Sequence, residues 1–209
     1  VEAGAAENRA ALIAESAVSL RDAAIGLAFG TIGGIAGALV FSRFRIVERM
    51  FLPIALALST VPLIAFTPLI VLVFGRDLIS VAVIAAIVTF FPILVYVAHG
   101  LRQAEREVIE VCQSCGATAG FIIRRVQFPY AVPSLMSSLR IAAPLALVGA
   151  LLAEWLATGN GLGYGILQVG AMSDYSGVWA RVALTTALSF SVYWLIGLTE
   201  RCVMTWYSA

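Results

Sequence analysis

The chain has 209 residues, 61% of them hydrophobic and 12% charged, with a formal net charge of +1 and a mean hydropathy of +0.99. A composition this apolar excludes an ordinary soluble domain, and charge this sparse supplies no basic face for nucleic acid. The expectation is an all-α integral membrane protein whose spans follow from the uncharged runs.

Residues 1–20 are Ala-rich with scattered charges and predict an amphipathic helix at the membrane surface, separate from the spans. The chain begins with Val, so a further N-terminal span is expected to have room upstream. Residues 22–42 form the first span, since twenty uncharged residues between Asp22 and Arg43 suffice for a hydrocarbon core of about 30 Å. Gly26, Gly30, Gly33, Gly34 and Gly37 flatten one face of it for close helix packing, either within the chain or against a second copy. The second span, 51–74, contains Pro53, Pro62 and Pro68, so it should be broken and leave backbone carbonyls free. The third, 78–98, holds Thr89 and Pro92 and ends at His99, which reads as a surface or capping residue rather than a ligand.

Residues 99–138 break the pattern. Arg102 to Arg140 carries five of the thirteen arginines and three of the nine glutamates between two apolar runs. A helix is expected over 104–115, a left-handed turn at Gly116, and a second helix over 117–127 that Pro129 stops. Glu110, Val111 and Cys112 are followed after three residues by Gly116 and Ala117, and Gly116 after nine more by Val126, Gln127, Phe128 and Pro129. This resembles the EAA motif of ABC importer permeases, Glu-Ala-Ala, three residues, Gly, nine residues, Ile-x-Leu-Pro, with Val111 and Cys112 where that family favours alanine.

The fourth span, 139–158, carries Glu154 roughly 22 Å above its polar end at 1.5 Å per residue. An ionisable group at that depth is functional by default, so Glu154, with Thr67 and Thr89 as weaker candidates, is expected to line a path, to pair with an arginine or to shape an outer gate. Residues 159–182 are too glycine-broken to span and suit a short re-entrant or interfacial helix. Within them, GNGLGYGI resembles the Gly-Leu-Gly-Tyr segment of the nitrate, sulfonate and taurine branch of these permeases. The fifth span is 182–203, with Trp206 and Tyr207 as interfacial anchors.

Placing the polar stretch inside puts Arg43, Arg45, Arg49, Arg102, Arg106, Arg124, Arg125, Arg140 and Arg201 in the cytoplasm and only Arg9, Arg21, Arg76 and Arg181 outside, in keeping with the positive-inside rule. Cys112, Cys115 and Cys202 then face a reducing compartment, so no disulfide is expected. The lone CxxC lacks further ligands for a metal.

The resemblance implies a five-helix type I importer permease in the bacterial plasma membrane. Residues 21–209 would be its transmembrane domain, and Glu110, Val111, Cys112, Gly116, Ala117, Val126, Phe128 and Pro129 would couple it to a separate ATPase dimer that holds ATP and Mg. It also implies a second permease copy, identical by expectation, and an extracytoplasmic substrate-binding protein delivering a sulfonate, taurine, nitrate or a vitamin precursor. No GxxxxGK[ST] loop occurs, and there is no lysine to supply one, so no cofactor is expected on this chain itself. The alternatives are a secondary transporter, for which no inverted repeat is visible, and a membrane-embedded enzyme, for which His99 sits at a surface and Glu154 has no evident partner.

Overall fold

The structure, a computed structural model, describes the backbone of residues 2–207 and the side chains of residues 9–205. Nine α-helices follow one another among the described residues: α1 Glu2–Arg43, α2 Arg45–Ser59, α3 Leu63–Phe74, α4 Leu78–Leu101, α5 Arg106–Ser114, α6 Ala119–Ile122, α7 Phe128–Ala153, α8 Gly161–Ala171 and α9 Tyr175–Tyr207. Two π-helical turns, Ile123–Gln127 and Glu154–Thr158, flank α7. By length and composition four helical stretches can cross a membrane. The pair α2 and α3 can together form a fifth, bent by 99° at its break.

Helices α1, α4 and α7 make the centre. Ala38, Phe41, Ile93, Leu94, Val97, Leu101 and Ala142 form one core, and Ala23, Val81, Ile84, Ala146, Leu147 and Ala150 the other. The glycines of α1 lie against α4 inside this chain. A Cβ at Gly26 would meet Ala85, one at Gly30 would meet Thr89, and one at Gly34 would meet Ile93. Of the two packings the glycine spacing allows, the intramolecular one is the one formed, because the small residues let two backbones approach with no side chain between them.

Three expectations need correction. The first is the separate surface segment at 1–20. Helix α1 instead runs unbroken to Arg43, and at 1.5 Å per residue the span candidate Arg9–Arg43 is about 50 Å long, well beyond a core of about 30 Å. Its outer part is held because Ser16, Ser19 and Asp22 are buried against the rest of the chain.

The second concerns Pro129, which does not stop a helix. A single helical stretch runs from Ala119 to Thr158, and the wider turn at Ile123–Gln127 absorbs the ladder disruption where the proline has no N–H to donate. The helical stretches that contain the expected spans four and five begin at Ala119 and Tyr175. The third concerns Glu154 and is taken up below. The anchors expected at Trp206 and Tyr207 lie outside the described side chains.

Candidate functional site: the polar hairpin and the buried carboxyl

The polar stretch forms a helical hairpin. Helix α5 ends in a Schellman arrangement: Ala117 N–H donates to the Cys112 carbonyl at 2.9 Å and Gly116 N–H to the Gln113 carbonyl at 2.9 Å. This closure requires φ of +79° at Gly116, where an L-residue is strained and glycine is not. Thr118 then starts α6 by accepting the Phe121 N–H.

A small hydrophobic cluster of Ala104, Ile122 and Val126, joined by Val108, Ile109, Cys112 and Ala117, holds the two arms together. The motif therefore divides by face. Cys112, Ala117 and Val126 build the hairpin from within, and Phe128 packs onto the main core. Pro129 is half-buried near the start of α7. Glu110, Val111 and Gly116 point away from the protomer, with Val111 63% exposed. A Cβ on Gly116 would touch nothing within 4 Å. The hairpin thus has a packed inner face and an open outer one.

Glu154 stands in the π turn after α7 and is fully buried. Its Oε2 accepts from Ser19 Oγ at 2.8 Å and from the Gly163 N–H at 2.9 Å, while the Leu162 N–H donates to Ser19 Oγ at 2.9 Å. Ser19 and Glu154 thus cap the start of α8 from two different helices, satisfying amides that a helix leaves unpaired in its first turn.

The glycines of GLGYG make the room. At Gly161, with φ of +89°, a Cβ would run into the Glu154 carboxyl; at Gly163, into the Leu151 carbonyl; at Gly165, into the Glu15–Arg181 pair. That pair is a two-pronged ion pair, Arg181 Nε to Glu15 Oε2 and Nη2 to Glu15 Oε1, both at 2.8 Å, and it ties the outer part of α1 to α9. The arginine expected beside Glu154 is therefore absent among the described residues. The Ser19 hydroxyl and the Gly163 amide take its place.

Thr67 and Thr89 are also fully buried, bonding their own helices through the Leu63 carbonyl at 3.1 Å and the Ala85 carbonyl at 3.0 Å. None of the three path candidates offers surface to a passing solute in this conformation. Open surface lies elsewhere: a cavity of about 720 Å³ between the bent α2–α3 pair and α4, lined by Leu56, Val61, Phe66, Phe91, Pro92 and Tyr96 among others. Ser19 and the two roles of Gly161 and Gly163 escaped sequence reasoning. The one available signal was the glycine spacing itself, which announces close approach without saying to what.

The sequence matches the family described as binding-protein-dependent transport system inner membrane component over residues 30–204. It is 35% identical over 182 residues to the formylaminopyrimidine transport permease protein ThiX of Halalkalibacterium halodurans, covering 87% of this chain and 73% of that one. It is 26% identical over 189 residues to the putative aliphatic sulfonates transport permease protein SsuC of Bacillus subtilis, covering 90% and 68%. A solved structure of the MetNI methionine ABC transporter, in an inward-facing conformation, superposes with a TM-score of 0.78 over 92% of this chain and 96% of that one, at 18% identity.

Proposed function

The chain belongs to the family of binding-protein-dependent transport system inner membrane components, and from that premise we propose that its polar hairpin is the part an ATPase dimer grips. The chain is a multi-pass permease of the bacterial plasma membrane and the translocating subunit of an ABC importer for a small solute. The observation that carries the coupling role is the division of the motif into an inner face that folds the hairpin and an outer face, Glu110, Val111 and Gly116, that nothing in this chain covers. Closure of paired ATPases on ATP would draw two such hairpins together, and the continuous helix from Ala119 to Thr158 would carry that displacement across the membrane.

On the same reading the orientation is hairpin-inside, and a second copy of the chain completes the path. The cavity between α2–α3 and α4 faces that partner, and an external binding protein selects the solute. The relatives named for a formylaminopyrimidine and for aliphatic sulfonates support a small polar solute of that kind, sulfonate, taurine, nitrate or a vitamin precursor.

The experiment is purification of the tagged chain from native membranes, wild type against Gly116→Arg. The wild type should bring down an ABC ATPase in equal subunit ratio. The variant should stay in the membrane, folded, and lose the ATPase together with uptake. Uptake at the wild-type rate by Gly116→Arg would sink the proposal.

A further inference from the structure

A second cavity, of about 380 Å³, opens at the hairpin end of the bundle, where α1, α2, α4 and α5 converge. Its lining is two-sided. Phe41, Leu52, Pro53 and Leu101 form an apolar wall, and Arg45, Arg49, Arg102 and Arg106 stand around the rest with Glu48 as the one acid. Four arginines against one glutamate leave an excess of three positive charges.

Arg102 forms an ion pair with Glu48, Nη1 to Oε1 at 2.6 Å. Arg45, Arg49 and Arg106 have no carboxylate partner among the described residues. Gln127, whose Oε1 accepts from Ser42 Oγ at 2.8 Å, adds a side-chain amide to the lining.

We propose that this cavity binds a phosphate-bearing anion, most naturally the headgroup of an anionic phospholipid. Guanidinium forks match phosphate oxygens in pairs, and unpaired arginines converging on one hollow are otherwise left repelling one another. The cavity also lies where two apolar helices end, α1 at Arg43 and α4 at Leu101, which is headgroup depth. Its apolar wall gives the first carbons of an acyl chain a surface, whereas a free anion has no use for it. Basic pockets between helices on the cytoplasmic side hold anionic headgroups by this chemistry. Because Arg106 belongs to α5 and Arg45 and Arg49 to α2, the bound phosphate would bridge the hairpin to the second span. The site's cytoplasmic placement rests on the orientation proposed above; its ligand chemistry does not.

The test is native mass spectrometry of the permease with its ATPase bound, titrated separately with dioctanoyl phosphatidylglycerol and dioctanoyl phosphatidylcholine. Inorganic phosphate is then added as competitor. Phosphatidylglycerol should bind more tightly than phosphatidylcholine, and Arg45→Gln/Arg49→Gln should weaken it by about 30-fold, from two interfacial charges. Arg45→Lys/Arg49→Lys should retain most of the preference over phosphatidylcholine. Both pairs spare the Arg102–Glu48 contact.

Displacement of the lipid by phosphate at equal concentration would identify the free anion as the source and leave the site standing. Equal binding of the two lipids, or unchanged phosphatidylglycerol binding by the glutamine pair, would overturn it. So would lipid binding seen only after the ATPase is stripped away, which would assign the arginines to the ATPase interface. If the glutamine pair does not fold, Arg49→Gln alone and the wild-type lipid preference decide. Should no ATPase copurify, the coupling proposal fails, while the same titration on the permease alone still decides this one.

Discussion

Replacing Ser19 by Ala removes one oxygen that serves two partners, and its cost can be worked from the geometry. The Leu162 N–H loses its acceptor at 2.9 Å inside a fully buried site, and an orphaned buried amide costs about 1–3 kcal/mol. The bond from Ser19 Oγ to Glu154 Oε2 at 2.8 Å is lost as well, worth about 0.6–1.5 kcal/mol for an interhelical bond in a membrane protein. The volume removed is a single atom, so the cavity contribution is small. Together the loss is about 2–4 kcal/mol, which for a chain of this size lowers the thermal midpoint by roughly 4–16 °C.

Ser16→Ala is the control. Ser16 lies one turn earlier on α1 and is also buried, but its hydroxyl bonds only the Leu12 carbonyl of its own helix, so its removal should shift the midpoint by far less. The assay is thermal unfolding of the purified chain in detergent, repeated for Glu154→Gln and for the double variant Ser19→Ala/Glu154→Gln. Residues sharing one network should couple, so the double variant should lose less than the sum of the singles. A Ser19→Ala midpoint matching the Ser16→Ala midpoint, or strict additivity with Glu154→Gln, would refute the view that these two side chains jointly cap α8.

Further outcomes follow from other parts of the structure. Gly30→Leu should abolish accumulation of folded protein, because its Cβ alone would collide with Thr89 and with the Ala86 carbonyl across the α1–α4 contact; normal expression and uptake would contradict that packing. In a cysteine-free background, an impermeant maleimide applied from outside should label cysteines substituted near Gly75 and Ser173 but not those near Ser42 or Ser114. Labelling at Ser114 would invert the orientation.

Asp174 caps the start of α9, its Oδ1 accepting from Ser176 Oγ at 2.6 Å and the Gly177 N–H at 3.0 Å. The Ser176 hydroxyl first and the Gly177 amide next hold its carboxyl below the ordinary value of 3.8. A depressed folded value means the cap's contribution is complete above 3.8 and disappears as pH falls through the lower folded value. The midpoint difference between wild type and Asp174→Ala should therefore be full at pH 6 and shrink in stronger acid. A difference that grew on acidification would reverse the assignment.

The sequence by itself determined the membrane class, the apolar runs and the motif with its glycine turn, because each depends on residues near one another in the chain. An uncharged run of span length has few stable fates, and a glycine six residues after Glu110, just past the end of a nine-residue helix, closes it in the left-handed turn seen at Gly116. The break in the second span was legible for the same reason, since Pro62 opens α3 and cannot continue α2.

What tertiary structure decided were the partners across distance. Nothing local tells Ser19 that it will meet Glu154, 135 residues away, or Glu15 that it will meet Arg181, 166 residues away. Read alone, Glu154 was an isolated charge at depth and so a path residue by default. Only the packing of α1 against the turn after α7 makes it the cap of a short helix. The same holds for Arg45, Arg49, Arg102 and Arg106, which the sequence distributes over two charged loops and an orientation rule, and which the fold gathers around one cavity. Pro129 shows the reverse case, where local chemistry predicted a stop but the helix from Ala119 continued through it. A widened turn at Ile123–Gln127 accommodates the missing donor.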